Sequence, residues 1–418
     1  MLTSPDRRAF LAASTSALLA AGAAAQPNEK IHVAILGVRG RGKDLLREFA
    51  ACDDVEIAYL CDPDLNVVPA ALKVLPSRHS RQPKVVQDLR LVLEDKSVDA
   101  VVVATPDHWH ALATVWACQA DKHVYVEKPI SHNLIEGRRM VEAARRYKRV
   151  VQVGTQRRSS LTLQQAAEFI KGGGLGKIPF ARAWIAGHRK TIGKKADAPV
   201  PAKVDYNLWL GPAPTRPFNP NRFHYEWHWF WDYGTGELGN NGIHGLDTIR
   251  MLTGLDGPTR ISAGGGRYFD DDRETPDTHI ATFDFLGGTT VVWEHRIWAK
   301  TGLRNKSFGI ELVGEKATLF SDGSSWSIDG EPEDKTRKAA GVSHVRNFLD
   351  CIKSGNRPNA DIEEGHKSTR LCHLGNIAYR LGRTLSFDPA TETIAGDTEA
   401  SALLGRTYRK GFELPNKV

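Results

Sequence analysis

Between Ile31 and Gly154, short apolar runs alternate with amphipathic helical patterns, and this alternation restricts the chain more than any other feature. The runs are Ile31 to Leu36, Val55 to Leu60, Ala100 to Ala104, His123 to Val126 and Val150 to Val153. Strand and helix in repetition predict a parallel sheet covered by helices on both faces. In such sheets, ligands bind outside the carboxyl ends of the strands, so residues there are the first candidates for chemistry.

Those ends carry distinctive groups. Gly37-Val38-Arg39-Gly40-Arg41-Gly42 follows the first run and opens a helix. In that context glycines let the backbone approach a pyrophosphate seated on a helix amino terminus. The order is G-x-x-G-x-G and not the usual G-x-G-x-x-G, so the turn alone is a weak signal that a tight structural turn would also give. Asp62 strengthens it. It closes the second run, where a carboxylate can accept the hydroxyls of an adenine ribose and repel a 2′-phosphate, which favours NAD over NADP; Arg39 and Arg41 leave NADP open. Thr105, Pro106, His108, Trp109 and His110 follow the run ending at Ala104 and are placed at the nicotinamide end. Thr105 or Asp107 as a helix cap, with Trp109 as core, is the competing structural reading. Glu127-Lys128-Pro129 follows the run His123 to Val126 and sets a lysine beside the dinucleotide, where partial desolvation eases loss of its proton.

After Gly154 the character changes. A helix over Leu161 to Lys171 and a strand over Ile178 to Ala186 precede a long irregular stretch, Ala198 to Tyr233, rich in proline and aromatics. Irregular segments of that length are functional or disordered, and aromatics such as Trp209, Trp227, Trp229 and Trp231 argue for order and a pocket wall. Strands are predicted over Arg260 to Ala263, His279 to Phe285, Thr289 to His295, Ile310 to Val313 and Ala317 to Ser321. Helices are predicted over Val342 to Lys353 and Gly365 to Leu381, with a polar tail after Asp388. The expected fold is therefore α/β: a doubly wound parallel sheet, then a second α/β domain with an open, mostly antiparallel sheet. The expected division is 28–154, 155–340 and a carboxyl-terminal part, 341–418, that packs back on the fold.

A second polar cluster lies between Asp232 and Asp247. If Asn240 to Met251 is helical, Asn240, His244 and Asp247 share a face at i, i+4 and i+7. A histidine flanked there by an amide and a carboxylate is a candidate proton carrier. Glu226, His228, Asp232, Glu237 and His244 are also metal-ligand types, but without the tight HExxH spacing, so no metal site is assigned.

The first residues read differently. Arg7-Arg8 precedes an apolar, alanine-rich stretch to Ala25 that is shorter than the ~20 residues of a membrane span. Residues 1–25 therefore read as a twin-arginine export signal with a small-residue cleavage site. The expectation is a periplasmic or otherwise exported protein, handled by the twin-arginine machinery and without a stable membrane anchor. Removing this segment takes away two arginines and one aspartate, so the formal charge falls from +7 to +6. No basic run is interleaved with aromatics, and a nucleic-acid partner is not expected. With five cysteines, an odd number without ligand spacing, no disulfide framework is expected.

Together, the glycine turn, Asp62, the Ala-Thr-Pro-Asp-His-Trp-His run at 104–110, Glu127-Lys128-Pro129 and the glycine-rich segment ending in His244 resemble the Gfo/Idh/MocA oxidoreductases, specifically their exported members. The likeness spans residues 28–418. It implies a tightly held NAD(H) or NADP(H), a carbohydrate or cyclitol substrate oxidised at a secondary alcohol, and a homo-oligomer. It also implies Lys128 at the reacting hydroxyl with His244 as its proton partner. Many family dehydrogenases carry an aspartate where this chain has Asn240, which throws the proton work onto His244 and Lys128, with Asp247 as a candidate to hold the imidazole tautomer. Net oxidation of one sugar coupled to reduction of another is the leading expectation. Redox-neutral glycoside cleavage and non-catalytic sugar binding are the alternatives.

Overall fold

The computed structural model describes residues 30–77, 79, 81–187, 189–331, 343–415 and 417–418. The export signal expected over 1–25 lies outside them. Six parallel strands form the first sheet: β1 (Ile31–Leu36), β2 (Val55–Cys61), β3 (Lys84–Val86), β4 (Ala100–Val103), β5 (His123–Val126) and β6 (Val151–Val153), in the order β3-β2-β1-β4-β5-β6. The order reverses between β1 and β4, which opens a crevice at their carboxyl ends. Both sheet faces are covered, so β1, β4 and β5 read as nearly unbroken apolar runs with scarcely any exposure. The edge strand β3 escaped the pattern because it is only three residues long and two of them, Lys84 and Val85, are exposed.

The second sheet has eight strands: β7 (Phe180–Ile185), β8 (Pro258–Gly266), β9 (Thr278–Phe285), β10 (Thr290–Arg296), β11 (Phe308–Val313), β12 (Thr318–Ser321), β13 (Trp326–Ile328) and β14 (Leu385–Ser386). Their order is β13-β12-β11-β7-β10-β9-β8-β14. Only β7 and β10 pair in parallel; the other neighbours are antiparallel. Burial alternates residue by residue along β9 and β10. That is the signature of a sheet with one face packed. Phe283, Trp293, Ile310 and Leu312 on that face meet Leu246, Ile249, Leu374 and Ile377 from the helices Ile243–Thr253 and Ile362–Leu381. The long helix Ile362–Leu381 starts earlier than its sequence pattern suggested, because Asp361 caps it by accepting from the Glu363 N–H. It is buried along most of its length and contacts the helix Leu134–Arg146 of the first half as well as β8.

The tail returns to the first half. Phe412 and Leu414 are buried with Trp109 and Leu89 in its core, and the Arg409 guanidinium donates to the Gly211 carbonyl at 2.8 Å. None of the five cysteines forms a disulfide.

One local expectation is corrected here. Asn240 to Met251 is not one regular helix: residues Leu238–Gly242 form a wide π-type turn, and the α-helix proper is Ile243–Thr253. Asn240 thus lies outside the regular helix that carries His244 and Asp247, and Asp247, three residues from His244, is engaged by other groups. Its carboxylate is 1% exposed and takes Arg158 Nε at 2.9 and 3.0 Å and the Ser368 hydroxyl at 2.6 Å. A buried guanidinium requires a nearby counter-charge, and Asp247 supplies it for Arg158.

Candidate active site

The main cleft, about 380 Å³, opens at the carboxyl ends of β1, β2, β4 and β5. Its floor is the glycine turn. Gly37 (φ 82°) sits so close to the loop after β4 that a Cβ would meet the Ala104 carbonyl oxygen at 2.6 Å. A Cβ on Gly42 would lie 1.8 Å from the Gly37 oxygen. These approaches admit no side chain. Gly40 precedes the helix Arg41–Ala50 with no side-chain cap, so the amino-terminal dipole faces the cleft without a competing oxygen. Gly37, Arg39, Gly40 and Arg41 all line it.

Asp62, just past β2, accepts the Val38 N–H and the Asp64 N–H, both at 2.9 Å. Burial raises its pKa to about 6, against the pull of those two donors. At the other end, Glu127 takes Arg41 Nε at 3.0 Å, and Lys128 Nζ reaches the backbone oxygen of Asn240 at 2.8 Å and its side-chain oxygen at 3.3 Å. His110 lies between the Pro129 and Thr105 carbonyls at 2.7 and 2.8 Å, and so ties the loop after β4 to the loop after β5. Asp107, buried at the cleft wall, accepts the Thr235 hydroxyl at 2.7 Å, and burial raises its pKa to about 7. His244 lines the cleft with Nδ1 unpartnered. Burial first, then the Lys128, Arg157 and Arg41 cations, hold its pKa well below the ordinary histidine range, so the imidazole is neutral.

Of the residues expected at the site, Gly37, Arg39, Gly40, Arg41, Asp62, Thr105, Pro106, Trp109, His110, Glu127, Lys128, Asn240 and His244 line this one cleft, and Gly42 packs directly beneath it. Two do not. His108 is fully buried behind the wall, its Nε2 2.9 Å from the Trp209 carbonyl and its ring against Tyr233. Residues 107 and 110, three apart, share a helix face, whereas 108 is turned about 100° away from 107. Asp247 is spent on Arg158. Trp109 reaches the cleft but is mostly core, as its alternative reading had it: its Nε1 donates to the Leu208 and Trp209 carbonyls at 3.0 and 3.1 Å.

The sequence reading missed individual residues of the irregular stretch, although it expected that stretch to wall a pocket. Trp209, His224, Tyr225, Trp227 and His228 form the opposite wall, and Gln156 joins them from the loop after β6. The signal was present in Tyr225-Glu226-Trp227-His228-Trp229, which clusters rings beside polar tips. The other ligand-type residues are otherwise engaged: Glu226 accepts from Trp229, Asp232 pairs with Arg216, and Glu237 pairs with Arg189.

A family model for an NAD-binding Rossmann fold matches residues 31–155, and a second, for the C-terminal alpha/beta domain of the same oxidoreductase family, matches residues 183–414. The chain belongs to the Gfo/Idh/MocA oxidoreductase family. It is an NAD-dependent oxidoreductase, and the cleft fits the cofactor: the uncapped helix and side-chain-free turn would hold a pyrophosphate, and Asp62 a ribose. A myo-inositol 2-dehydrogenase of Thermotoga maritima is 23% identical over 321 residues, 73% of this chain and 84% of the relative. A glycosyl hydrolase family 109 protein of Shewanella pealeana is 27% identical over 125 residues, only 28% of this chain and 27% of that protein. Among solved structures of the Gfo/Idh/MocA fold, the WlbA dehydrogenase of Bordetella pertussis, in complex with NADH and UDP-GlcNAcA, superposes with a TM-score of 0.65 at 22% identity, covering 86% of this chain and 99% of that one.

Proposed function

We propose that this enzyme oxidises a secondary alcohol of a sugar or cyclitol, with Lys128 and His244 handling the hydroxyl proton. The observation that carries the reading is the position of Lys128, whose ammonium is held in the cleft by Asn240 while it acts electrostatically on a neutral His244. Bound NAD supplies the hydride acceptor.

Lys128 donates to the substrate oxygen and stabilises the negative charge that builds on it. His244, kept unprotonated by burial and by neighbouring cations, is the base able to receive a proton. Asn240 cannot take that proton, since an amide is not basic; it orients Lys128 instead. Asp62 selects the ribose of NAD over a 2′-phosphate. A cyclitol substrate is named for the inositol dehydrogenase relative, and a sugar derivative for a structurally similar levoglucosan dehydrogenase.

The reading includes location. The twin-arginine pattern at Arg7-Arg8 supports export, and an exported enzyme has no free NAD pool to exchange with. The cofactor therefore travels bound and is recycled in place, by coupled reduction of a second sugar. A second reading is redox-neutral glycoside cleavage, favoured by the neutral His244, which could also accept a carbon-bound proton once the neighbouring alcohol is oxidised.

The deciding experiment follows NADH absorbance on the as-purified exported protein, with no cofactor added, while single pyranoses, cyclitols and then aryl glycosides are supplied. A rise that persists until a second sugar is given supports the coupled oxidoreductase. A brief rise that decays as aglycone appears supports the glycosidase. No rise with any of them rejects both.

A further inference from the structure

His228, half-buried in the cleft wall, leaves one ring nitrogen open, whereas His344 and His110 do not. His344 engages both ring nitrogens, with Ser159 Oγ at 2.7 Å and the Val153 carbonyl at 2.8 Å. His110 is held between two carbonyls. His228 engages only Nδ1, 2.5 Å from the Tyr225 carbonyl oxygen. A carbonyl oxygen can only accept, so Nδ1 carries the proton, and in a neutral ring Nε2 is left as a lone pair. Nε2 has no partner among the described residues, and His228 lines the cleft. Burial is the main cause that lowers its pKa to about 3, with Lys128, Arg189 and His110 adding to it, so the ring is neutral under working conditions.

The ring is also fixed in place. It stacks on Trp227 with centroids 3.7 Å apart and an interplanar angle of 17°. Behind it, a Cβ on Gly234 would come within 2.6 Å of the His228 Cα and carbonyl oxygen, so this part of the chain rests directly on the histidine backbone. Tyr225, whose carbonyl accepts the Nδ1–H, itself accepts from Arg189 Nη1 on its hydroxyl at 3.2 Å. Lys128, His228 and His244 all line this one cleft.

We infer that His228 Nε2 is a fixed acceptor for a second hydroxyl of the substrate ring, separate from the one that Lys128 and His244 address, so that the enzyme selects cyclic polyols over simple secondary alcohols. The inference rests on the alcohol-oxidation reading above and adds a specificity-determining residue to it. A site built to hydrogen-bond a hydroxyl rejects the analogue that lacks it, because its own polar group is left unpaired.

The test uses the full-length protein with its retained cofactor and reads binding by tryptophan fluorescence, for which Trp227 is a reporter in contact with His228. D-Glucose, D-galactose and myo-inositol are titrated, followed by the singly deoxygenated analogues of whichever binds. The wild type is expected to lose roughly 5- to 150-fold in affinity for one particular deoxy analogue. His228→Asn, whose amide can still donate to the Tyr225 carbonyl, is expected to bind parent and that analogue equally, with an unchanged melting midpoint. Discrimination by His228→Asn equal to that of the wild type overturns the inference and leaves the alcohol-oxidation reading standing. Failure of every sugar to bind the wild type overturns both. Should His228→Asn not fold, His228→Phe carries the same comparison.

Discussion

Lys128 Nζ lies 2.8 Å from the backbone oxygen of Asn240 and 3.3 Å from its side-chain oxygen, across 112 residues of chain. The contact joins the loop after β5 to the wide turn Leu238–Gly242, and so brings the cofactor half and the second half together at one ammonium group. Because one of the two acceptors is main chain, the lysine keeps a partner whatever side chain occupies position 240. Asn240→Ala is expected to lower kcat by about tenfold, the low end for a hydrogen bond to a charged group because the backbone acceptor remains, and steady-state rates check it.

Lys128→Ala removes the group itself. Hydride transfer is expected to fall by at least the roughly 10²–10⁴-fold attached to general acid–base groups, while NAD stays bound. Cofactor content after gel filtration and single-turnover NADH formation separate the two effects. Loss of NAD from this variant would reassign Lys128 to cofactor binding.

Asp62→Ala is expected to weaken NAD by about 1.5–3 kcal/mol, the scale of hydrogen bonds to a charged group. In the wild type, affinity for NAD should decline as pH falls through about 6, where this buried carboxyl takes up a proton and loses acceptor capacity. The effect on the empty protein has the opposite sense. Its pKa in the fold is raised above the ordinary 3.8, so between those values the folded state binds a proton that the unfolded chain has released. The contribution of Asp62 to stability is therefore greatest at low pH and declines as pH rises toward and through 6. Calorimetric NAD titration and apo-protein melting, each across that window, test the two signs.

Asp247 is a structural residue in this fold. Its pair with Arg158 is almost wholly buried, with side chains 2% and 9% exposed. Asp247→Ala leaves the buried Arg158 guanidinium with only the longer contact to the partly exposed Glu364 at 3.4 Å, and is expected to cost about 3 kcal/mol of stability, the low end for a broken buried pair. Denaturant unfolding measures that cost. An unchanged stability with a shifted pH–rate profile would instead place Asp247 in the proton path.

Phe412 is the anchor of the returning tail, with its ring 5.6 Å from that of Trp109. Phe412→Ala is expected to cost about 3–5 kcal/mol, the range for a buried phenylalanine. It should also speed NAD release, since Trp109 lines the cleft. Thermal melting and the cofactor off-rate report the two consequences.

Much of this site was legible in the chain because it depends on local pattern. Apolar runs predict β1, β2, β4, β5 and β6 to within a residue or two, and strand ends place Gly37 to Gly42, Asp62, Thr105 and Lys128 without any tertiary information. The same logic failed where a residue's role depends on what packs against it. His108 and His110 are equivalent in sequence, yet one faces Tyr233 and the other the cleft. Asp247 looked like a partner for His244 until Arg158, from a distant loop, claimed it. No periodicity marks Tyr225 to Trp229, because irregular backbone has no repeating face to read.

The sequence by itself determined the doubly wound sheet, the dinucleotide turn and the lysine at a strand end, since these follow from spacing within single elements. Only the tertiary structure decided which polar groups meet. Asn240 on Lys128 and Asp247 on Arg158 each join segments far apart in the chain, because a charge taken out of water needs a partner that no local pattern specifies.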